Sequence, residues 1–171
     1  MIHVDFINLL LKNKNYIFIL PVLNIQGNAV ALNAGGAKKA ASSFYLPLDR
    51  VVRALKLLQQ KKTVDRGTLQ TIWRHSAFDE VRRLGLLPNT EAEVRKAYPS
   101  ETGTLVVDQV VPGGPTDKFL QPGDVLVRFA NDLLTTFIPM EEYLDSNING
   151  VVKLEVQRGG ESFLFEFLVQ V

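Results

Sequence analysis

The segment VVPGGPTDKFLQPGDVLVRFAN, residues 110–131, decides the fold of this 171-residue chain. Proline and glycine force the backbone to turn at two fixed points, PGGP at residues 112–115 and PGD at residues 122–124. Apolar side chains then recur at every second position from Val125 to Phe129, as they do in a β-strand. The segment therefore predicts a strand, a short helix, a tight turn and a second strand.

The composition limits what the protein can do. A length of 171 residues suits one or two small domains, and a formal net charge of +1 gives no reason to expect a nucleic-acid partner. The chain has no cysteine, which excludes disulfides and thiolate chemistry. Because His3 and His75 are the only histidines, we expect no histidine-based metal centre, and no motif indicates a cofactor.

Residues 1–20 differ in character from the rest of the chain. The polar residues 12–15 divide them into two apolar pieces, and each piece is shorter than the roughly 20 residues that a membrane-spanning helix needs. We therefore expect no membrane partner. Three interpretations stay open from this pattern: a packed helix or strand pair, a sequence foreign to the fold, or a targeting signal.

The next part of the chain, residues 21–62, predicts a small β-sheet followed by a helix. The turn residues Gln26, Gly27 and Asn28 indicate a hairpin, and Gly35 with Gly36 is expected to end its second strand. In chain order the predicted elements are strands at residues 22–25, 29–32 and 42–46 and a helix from the Pro47–Asp49 region to about Gln60. Three strands and one helix are too few for an independent core.

The remaining residues predict a larger β unit. The expected elements are strands at residues 69–73, 105–111, 125–129, 151–157 and 163–169 and helices at residues 77–84, 90–97 and 139–148. A hairpin turn at residues 158–161 joins the last two strands. These elements predict a partly open barrel, so the fold class is mainly β with α, or α+β.

Several spaced motifs resemble a known family. They are RGTL at residues 66–69, GTLVV at residues 103–107, the segment 110–131 and the helix at residues 139–148. In this order they resemble the circularly permuted PDZ domain of HtrA/Deg-type serine proteases. The segment FIPMEEYLDSNINGVVKLEVQRGGE is especially similar to the double-length fungal branch, the nuclear pro-apoptotic HtrA-like proteases.

The resemblance also covers the front of the chain. PVLNIQGNAVALNAGG and SSFYLPLDRVVRALKLLQ are similar to the end of the family's chymotrypsin-like protease domain. The implied organisation is a non-homologous leader at residues 1–20, a protease-domain remnant at residues 21–62 and a PDZ domain at residues 63–171. The remnant would retain one wall of the substrate pocket, formed by Leu32, Asn33, Ala34 and Gly35, although simple strand packing is the alternative.

The family's nucleophile would fall in the leader. Its G-N-S-G-S-P loop would end at Pro21, which puts Phe18 at the serine position, and phenylalanine has no nucleophilic atom. The family's catalytic His and Asp are expected upstream of residue 1, and His3 is not expected to replace that His. The resemblance thus implies a catalytically silent chain. The alternative is that it belongs to an active serine endopeptidase with a role in proteolysis and apoptosis.

The PDZ resemblance implies a peptide-binding groove. In that mode a peptide adds a strand to a sheet edge, and a terminal carboxylate sits on backbone amides of a loop. The implied residues are Arg66, Gly67, Thr68 and Leu69 in the loop, Gln70, Thr71 and Ile72 in the receiving strand, and Met140, Tyr143 and Leu144 on the facing helix. Gly67 would permit close backbone approach, and Leu69 would floor an apolar pocket.

Some assignments within this groove stay open. Arg66 either steers a carboxylate or is an ordinary linker residue, and Trp73 either flanks the groove or belongs to the core. His75 is expected past the receiving strand with a surface role. Because Gln70 and Thr71 follow Leu69 where many loops of the family carry glycine and an apolar residue, C-terminal and internal peptide segments are both candidate ligands. The resemblance also implies a nuclear location, otherwise a cytoplasmic one, and an oligomeric parent protein.

Overall fold

The computed structural model describes residues 20–37 and 42–171. The predictions made for residues 1–19, including those for His3 and Phe18, lie outside the described residues. The chain divides into two compact units, and the division falls between Val64 and Asp65.

The first unit contains a three-stranded antiparallel sheet and one helix. Its elements are β1 (Pro21–Leu23), β2 (Ala29–Ala37), β3 (Ser42–Pro47) and α1 (Leu48–Gln59), with strand order β1-β2-β3. The predicted hairpin is confirmed: the Asn24 side-chain oxygen accepts hydrogen bonds from the backbone N–H groups of Gln26 and Asn28 at 3.0 and 2.9 Å. Gly27 has a φ of +79°, which glycine adopts without strain.

The end of the second strand in this unit was predicted wrongly. Gly35 and Gly36 do not end β2, which continues to Ala37 and pairs with β3 through both glycines. The register shifts between Asn33 and Gly35, and glycine within a strand commonly marks such an irregularity. The predicted helix is confirmed as α1, with Asp49 in its first turn, where an acidic side chain opposes the helix dipole.

The second unit is built on a six-stranded antiparallel sheet with order β4-β5-β6-β8-β9, in which β7 pairs with β6. The strands are β4 (Thr71–Ala77), β5 (Gly103–Val110), β6 (Val125–Phe129), β7 (Asp132–Leu133), β8 (Val151–Arg158) and β9 (Glu161–Leu168). The helices are α2 (Phe78–Leu84), α3 (Pro88–Ala97) and α4 (Phe137–Ser146).

The two edges of this sheet meet at one end. Thr68 precedes the edge strand β4, Gln170 follows the opposite edge strand β9, and the two form an antiparallel bridge. Their backbones exchange hydrogen bonds of 2.8 and 3.0 Å. The sheet therefore curls into a partly open barrel, and the predicted α+β class, mainly β, is confirmed.

Both faces of the central strands are covered. In β5, Leu105 and Val107 belong to a core cluster that includes residues of α4, whereas Val106 between them belongs to a second cluster with residues of α2 and α3. Successive strand residues point to opposite faces, so a continuous apolar run is what a doubly covered strand requires.

The segment between β5 and β6 contains turns in place of the predicted helix. Its backbone makes a single helical turn, in which the N–H of Leu120 donates to the carbonyl of Thr116 at 3.0 Å. Lys118 has a φ of +76°, and Pro122 follows shortly after, so the helix cannot continue. The predicted tight turn is present, with Gly123 at a φ of +97°.

Other boundaries in this unit also differ from the prediction. The strand expected at residues 69–73 is Thr71–Ala77, because Gln70 adopts a φ of +53° and interrupts extended backbone before it. The helix expected at residues 90–97 starts at Pro88, whose ring fits the first helical position. The helix expected at residues 139–148 is Phe137–Ser146.

Candidate functional site

The segment that leads into β4 lies directly on α4. A Cβ atom added at Gly67 would lie 2.1 Å from the carbonyl oxygen of Leu144, so only glycine fits there. The Gly67 N–H donates a 3.0 Å hydrogen bond to the Asp145 carboxylate. The close approach expected at Gly67 is thus present, and the backbone that it meets is that of α4.

Arg66 is held by the same helix. Its Nε lies 2.9 Å from Asp145 Oδ2, and a second guanidinium nitrogen lies 3.5 Å from Glu141 Oε2. The Asp145 side chain is only 5% exposed, so the pair is shielded on one side from solvent. Arg66 therefore holds the segment against α4. The sequence predicted either a residue that steers a carboxylate or an ordinary linker residue, and neither interpretation included this contact.

Three predicted groove residues come together. Leu69, Met140 and Leu144 belong to one core cluster and are each at most 5% exposed. All three are buried in the core where the segment leading into β4 lies against α4. Ile72, the next apolar residue along the edge strand, is 50% exposed and offers contact area to a partner.

Polar contacts fix the loop between Gly67 and β4. The Thr68 hydroxyl accepts a 2.9 Å hydrogen bond from the Gln70 backbone N–H, and the Gln70 side-chain amide donates to Gln170 Oε1 at 2.8 Å. The hydroxyl oxygens of Thr71 and Thr116 lie 2.6 Å apart, and each lies 3.3 Å from the Leu69 carbonyl oxygen. Side-chain hydrogen bonds therefore hold the loop, both within itself and to Gln170 and Thr116.

Tyr143 is half-buried and packs against the same core cluster. Its ring packs edge-on against Phe129, with centroids 5.5 Å apart. Because successive helical residues are rotated by about 100°, Tyr143 and Asp145 lie on opposite sides of α4. Tyr143 lines a separate cavity of about 570 Å³, together with residues such as Tyr98 and Arg128.

The outer edge of β4 is where a strand could be added. Within the described sheet β4 pairs with β5, and the register shifts between Ile72 and Trp73. Trp73 is half-buried and packs against the core cluster that contains Leu69. His75, expected past the receiving strand, lies within β4 opposite Leu105 and is exposed.

The predicted pocket wall lies on β2. Leu32 pairs with Pro21 of β1 and with Leu46 of β3, and Asn33 pairs with Tyr45. Ala34 and Gly35 continue the same strand. These four residues are therefore consecutive positions of β2, the middle strand of the first unit's sheet.

Sequence reasoning missed the acidic residues that order the second unit. Glu91 is nearly buried and accepts hydrogen bonds from Arg82 at 2.6 Å and Arg95 at 2.7 Å. These guanidinium groups, Arg82 first, lower the pKa of Glu91 to about 2. The i, i+4 spacing of Glu91 and Arg95 was a local signal, whereas Asp145 is 79 residues from Arg66 and no local pattern connects them.

Within residues 20–37 and 42–171, no three or more His, Asp or Glu side chains are grouped as a metal site would require. In the same residues, no helix is both long enough and apolar enough to cross a membrane.

Comparison with known proteins shows that this chain is similar to HtrA-type proteases. Protease Do-like 7 of Arabidopsis thaliana is 50% identical over 163 residues, and the pro-apoptotic serine protease NMA111 of Coccidioides immitis is 54% identical over 142 residues. The resemblance to HtrA-type serine proteases is confirmed. No family model matches the chain.

The shared segment is most of this chain and a small part of each relative. It covers 88% of this chain and 15% of the Arabidopsis protein, and 82% of this chain and 14% of the Coccidioides protein. The activity and partners of those much longer proteins therefore do not transfer directly to a segment of this size.

A solved structure shares the fold. The HtrA-type protease AlgW with a bound decapeptide matches 88% of this chain and 44% of its own, with a TM-score of 0.56 and 18% sequence identity. At that identity the match establishes the architecture, and the bound decapeptide is a property of AlgW.

Proposed function

We propose that residues 63–171 form a peptide-binding PDZ module of an HtrA-type serine protease. The module binds extended or C-terminal peptide segments, including segments of unfolded proteins, by strand addition to the outer edge of β4. The observation that carries the proposal is that the edge strand β4 begins beside α4, over a core cluster that contains Leu69, Met140 and Leu144.

Strand addition suits these residues physically. The ligand backbone would pair with the polar backbone groups of β4, and its alternate side chains would contact Ile72 on one side and α4 on the other. Arg66, Gly67 and Thr68 position the receiving loop, through the contacts with Asp145 and Gln170 described above. Gln70 and Thr71 lead into the strand. Tyr143 supports α4 through Phe129 and is assigned no ligand contact.

The test is a titration of the purified chain with an extended apolar peptide, followed by Trp73 fluorescence and by backbone amide chemical shifts. We expect saturable changes at residues 69–73. Ile72→Glu should weaken binding at least tenfold, because a carboxylate would replace an exposed apolar contact. Leu164→Glu, on the opposite edge strand β9 and 68% exposed, is the matched control and should bind normally. Equal binding by both variants would contradict the groove assignment.

The second candidate function is serine endopeptidase activity of a longer protein that contains this segment. The similarity of the chain to relatives that include pro-apoptotic serine proteases favours it. For the 171-residue chain itself we propose catalytic silence, because Phe18 falls at the serine position that the family resemblance implies. A fluorophosphonate probe should leave this chain unlabelled. Covalent labelling would overturn the proposed silence without affecting the peptide-binding proposal.

The domain assignment and cellular context are part of the same proposal. Residues 21–62 are assigned as the end of a protease domain, residues 1–20 as a non-homologous leader, and the parent protein as a nuclear oligomer. The location and the oligomeric state rest on the family resemblance, and the similarity of the chain to pro-apoptotic relatives supports a role in apoptosis. Imaging of the full-length tagged gene product would test the location, and an exclusively cytoplasmic signal would contradict it.

A further inference from the structure

We propose that this groove gives a free C-terminus no advantage over an internal extended segment. The inference rests on the proposed peptide-binding function and specifies its ligand class. A free C-terminus gains its advantage from backbone N–H groups and cations that are available to its carboxylate. In this loop three such N–H groups, those of Gly67, Thr68 and Gln70, and the cation Arg66 already have partners within the protein.

Three backbone N–H groups of the loop each donate to an acceptor within the protein. The Gly67 N–H donates to Asp145, the Thr68 N–H donates to the Gln170 carbonyl at 2.8 Å, and the Gln70 N–H donates to the Thr68 hydroxyl at 2.9 Å. A carboxylate that bound these N–H groups would have to displace each acceptor. Because the exchange replaces one set of hydrogen bonds by another, the net gain is small.

The charges at this end of the groove also disfavour an anion. Arg66 is the cation of the loop, and its guanidinium contacts two carboxylates, those of Asp145 and Glu141. A terminal carboxylate would therefore approach one positive charge that is paired with two negative ones. An internal segment places a neutral peptide unit at the same position and meets no such repulsion.

Gln70 keeps the loop in this arrangement. Its left-handed backbone, with φ at +53°, is a conformation that favours glycine, and its side chain is anchored on the Gln170 side chain. The anchor ties the loop to the far edge of the sheet, where Thr68 and Gln170 already form a bridge. The loop is therefore braced against the movement that would release its N–H groups.

The test compares one apolar peptide in two forms, with a free C-terminal acid and with a C-terminal amide, against the full chain. We expect dissociation constants that differ by less than about threefold. A free acid that binds more than tenfold tighter than the amide would overturn this inference and leave the peptide-binding proposal intact. Failure of both forms to bind would overturn the peptide-binding proposal, and this inference with it.

A variant tests whether the Thr68 hydroxyl limits the affinity of the groove for a free C-terminus. Thr68→Val removes the hydroxyl acceptor while keeping the side-chain shape, which releases the Gln70 N–H. We expect the free acid to gain at least threefold in affinity relative to the amide in this variant. Thr102→Val, which alters an exposed threonine next to β5, is the matched control and should leave the ratio unchanged. An unchanged ratio in a folded Thr68→Val protein, verified by circular dichroism, would contradict the role given to the hydroxyl.

Discussion

Gly67 shows how one residue can set the spacing of a binding groove. Its backbone packs on the Leu144 carbonyl, and its N–H is held by Asp145, so the start of β4 is fixed relative to α4. Any side chain at this position would push the two elements apart. The glycine therefore acts through geometry, since it has no side chain to contribute to a ligand contact.

Gly67→Ala is expected to lower the free energy of unfolding by about 2–3 kcal/mol, the upper range for an overpacked position, because the new methyl group would collide with backbone. Urea denaturation measures the change. Gly113→Ala is the matched control: no atom lies within 4 Å of its added Cβ, so only the strain of its left-handed backbone, about 1–2 kcal/mol, should appear. A larger loss at Gly113 than at Gly67 would contradict the close contact.

The ionisation of Glu91 should make the free energy of unfolding depend on pH. Its pKa is lowered from 4.5 to about 2 in the folded protein, so its carboxylate contributes stability above the unfolded value. That contribution is lost as the pH falls from about 4.5 through about 2. Glu91→Gln should therefore cost about 1–2 kcal/mol at pH 7, the scale of charge-assisted hydrogen bonds to exposed arginines, and progressively less toward pH 2.

Urea unfolding of the unsubstituted protein and of Glu91→Gln, at pH 7 and at pH 3, measures this difference in the free energy of unfolding. Glu142→Gln, at an exposed position on α4, is the control and should change stability little at either pH. A cost at Glu91 that is equal at both pH values would show that its interaction with Arg82 and Arg95 does not depend on ionisation.

At the scale of elements, residues 110–131 act as a scaffold that joins two strands and contacts the far side of the sheet. Asp124 in the PGD turn is fully buried and forms a bidentate pair with Arg158 at the end of β8, with N···O distances of 2.6 and 2.7 Å. The same carboxylate accepts a hydrogen bond from the Gln121 N–H at 2.8 Å. One aspartate thereby holds the turn closed and fastens it to the last hairpin.

Asp124→Asn is expected to destabilise the protein by about 3–5 kcal/mol, because it leaves Arg158 partly buried without its counter-charge. Thermal and urea unfolding measure the loss, and Glu142→Gln again serves as an exposed acidic control. A loss below about 1 kcal/mol would show that the turn is held by its proline and glycine alone.

The elements also show what the sequence could predict. The hairpin turns at residues 26–28 and 158–161 were predictable because Gly27, Gly159 and Gly160 readily adopt the positive φ values that these turns require. The short helix expected after Pro115 was wrong because a local apolar pattern does not reveal the left-handed backbone at Lys118. The Arg66–Asp145 contact was not predictable, since its partners are far apart in the chain and are brought together only by the curled sheet.

At the scale of the whole molecule, both core clusters consist of residues between Leu69 and Val169. We therefore expect a shortened chain, residues 65–171, to fold by itself. Its urea unfolding should be a single cooperative transition, with the near-ultraviolet circular dichroism of a packed Trp73. A non-cooperative transition would show that the second unit needs residues outside this range.

The central claim, strand addition at β4, is tested most directly by amide hydrogen exchange in the presence and absence of saturating peptide. Because β4 and β9 are the two edges of the same sheet, each serves as the control for the other. We predict that peptide slows exchange of N–H groups within Thr71–Ala77 at least tenfold and leaves Glu161–Leu168 unchanged. Protection at β9 alone, or binding without protection at either edge, would contradict the account.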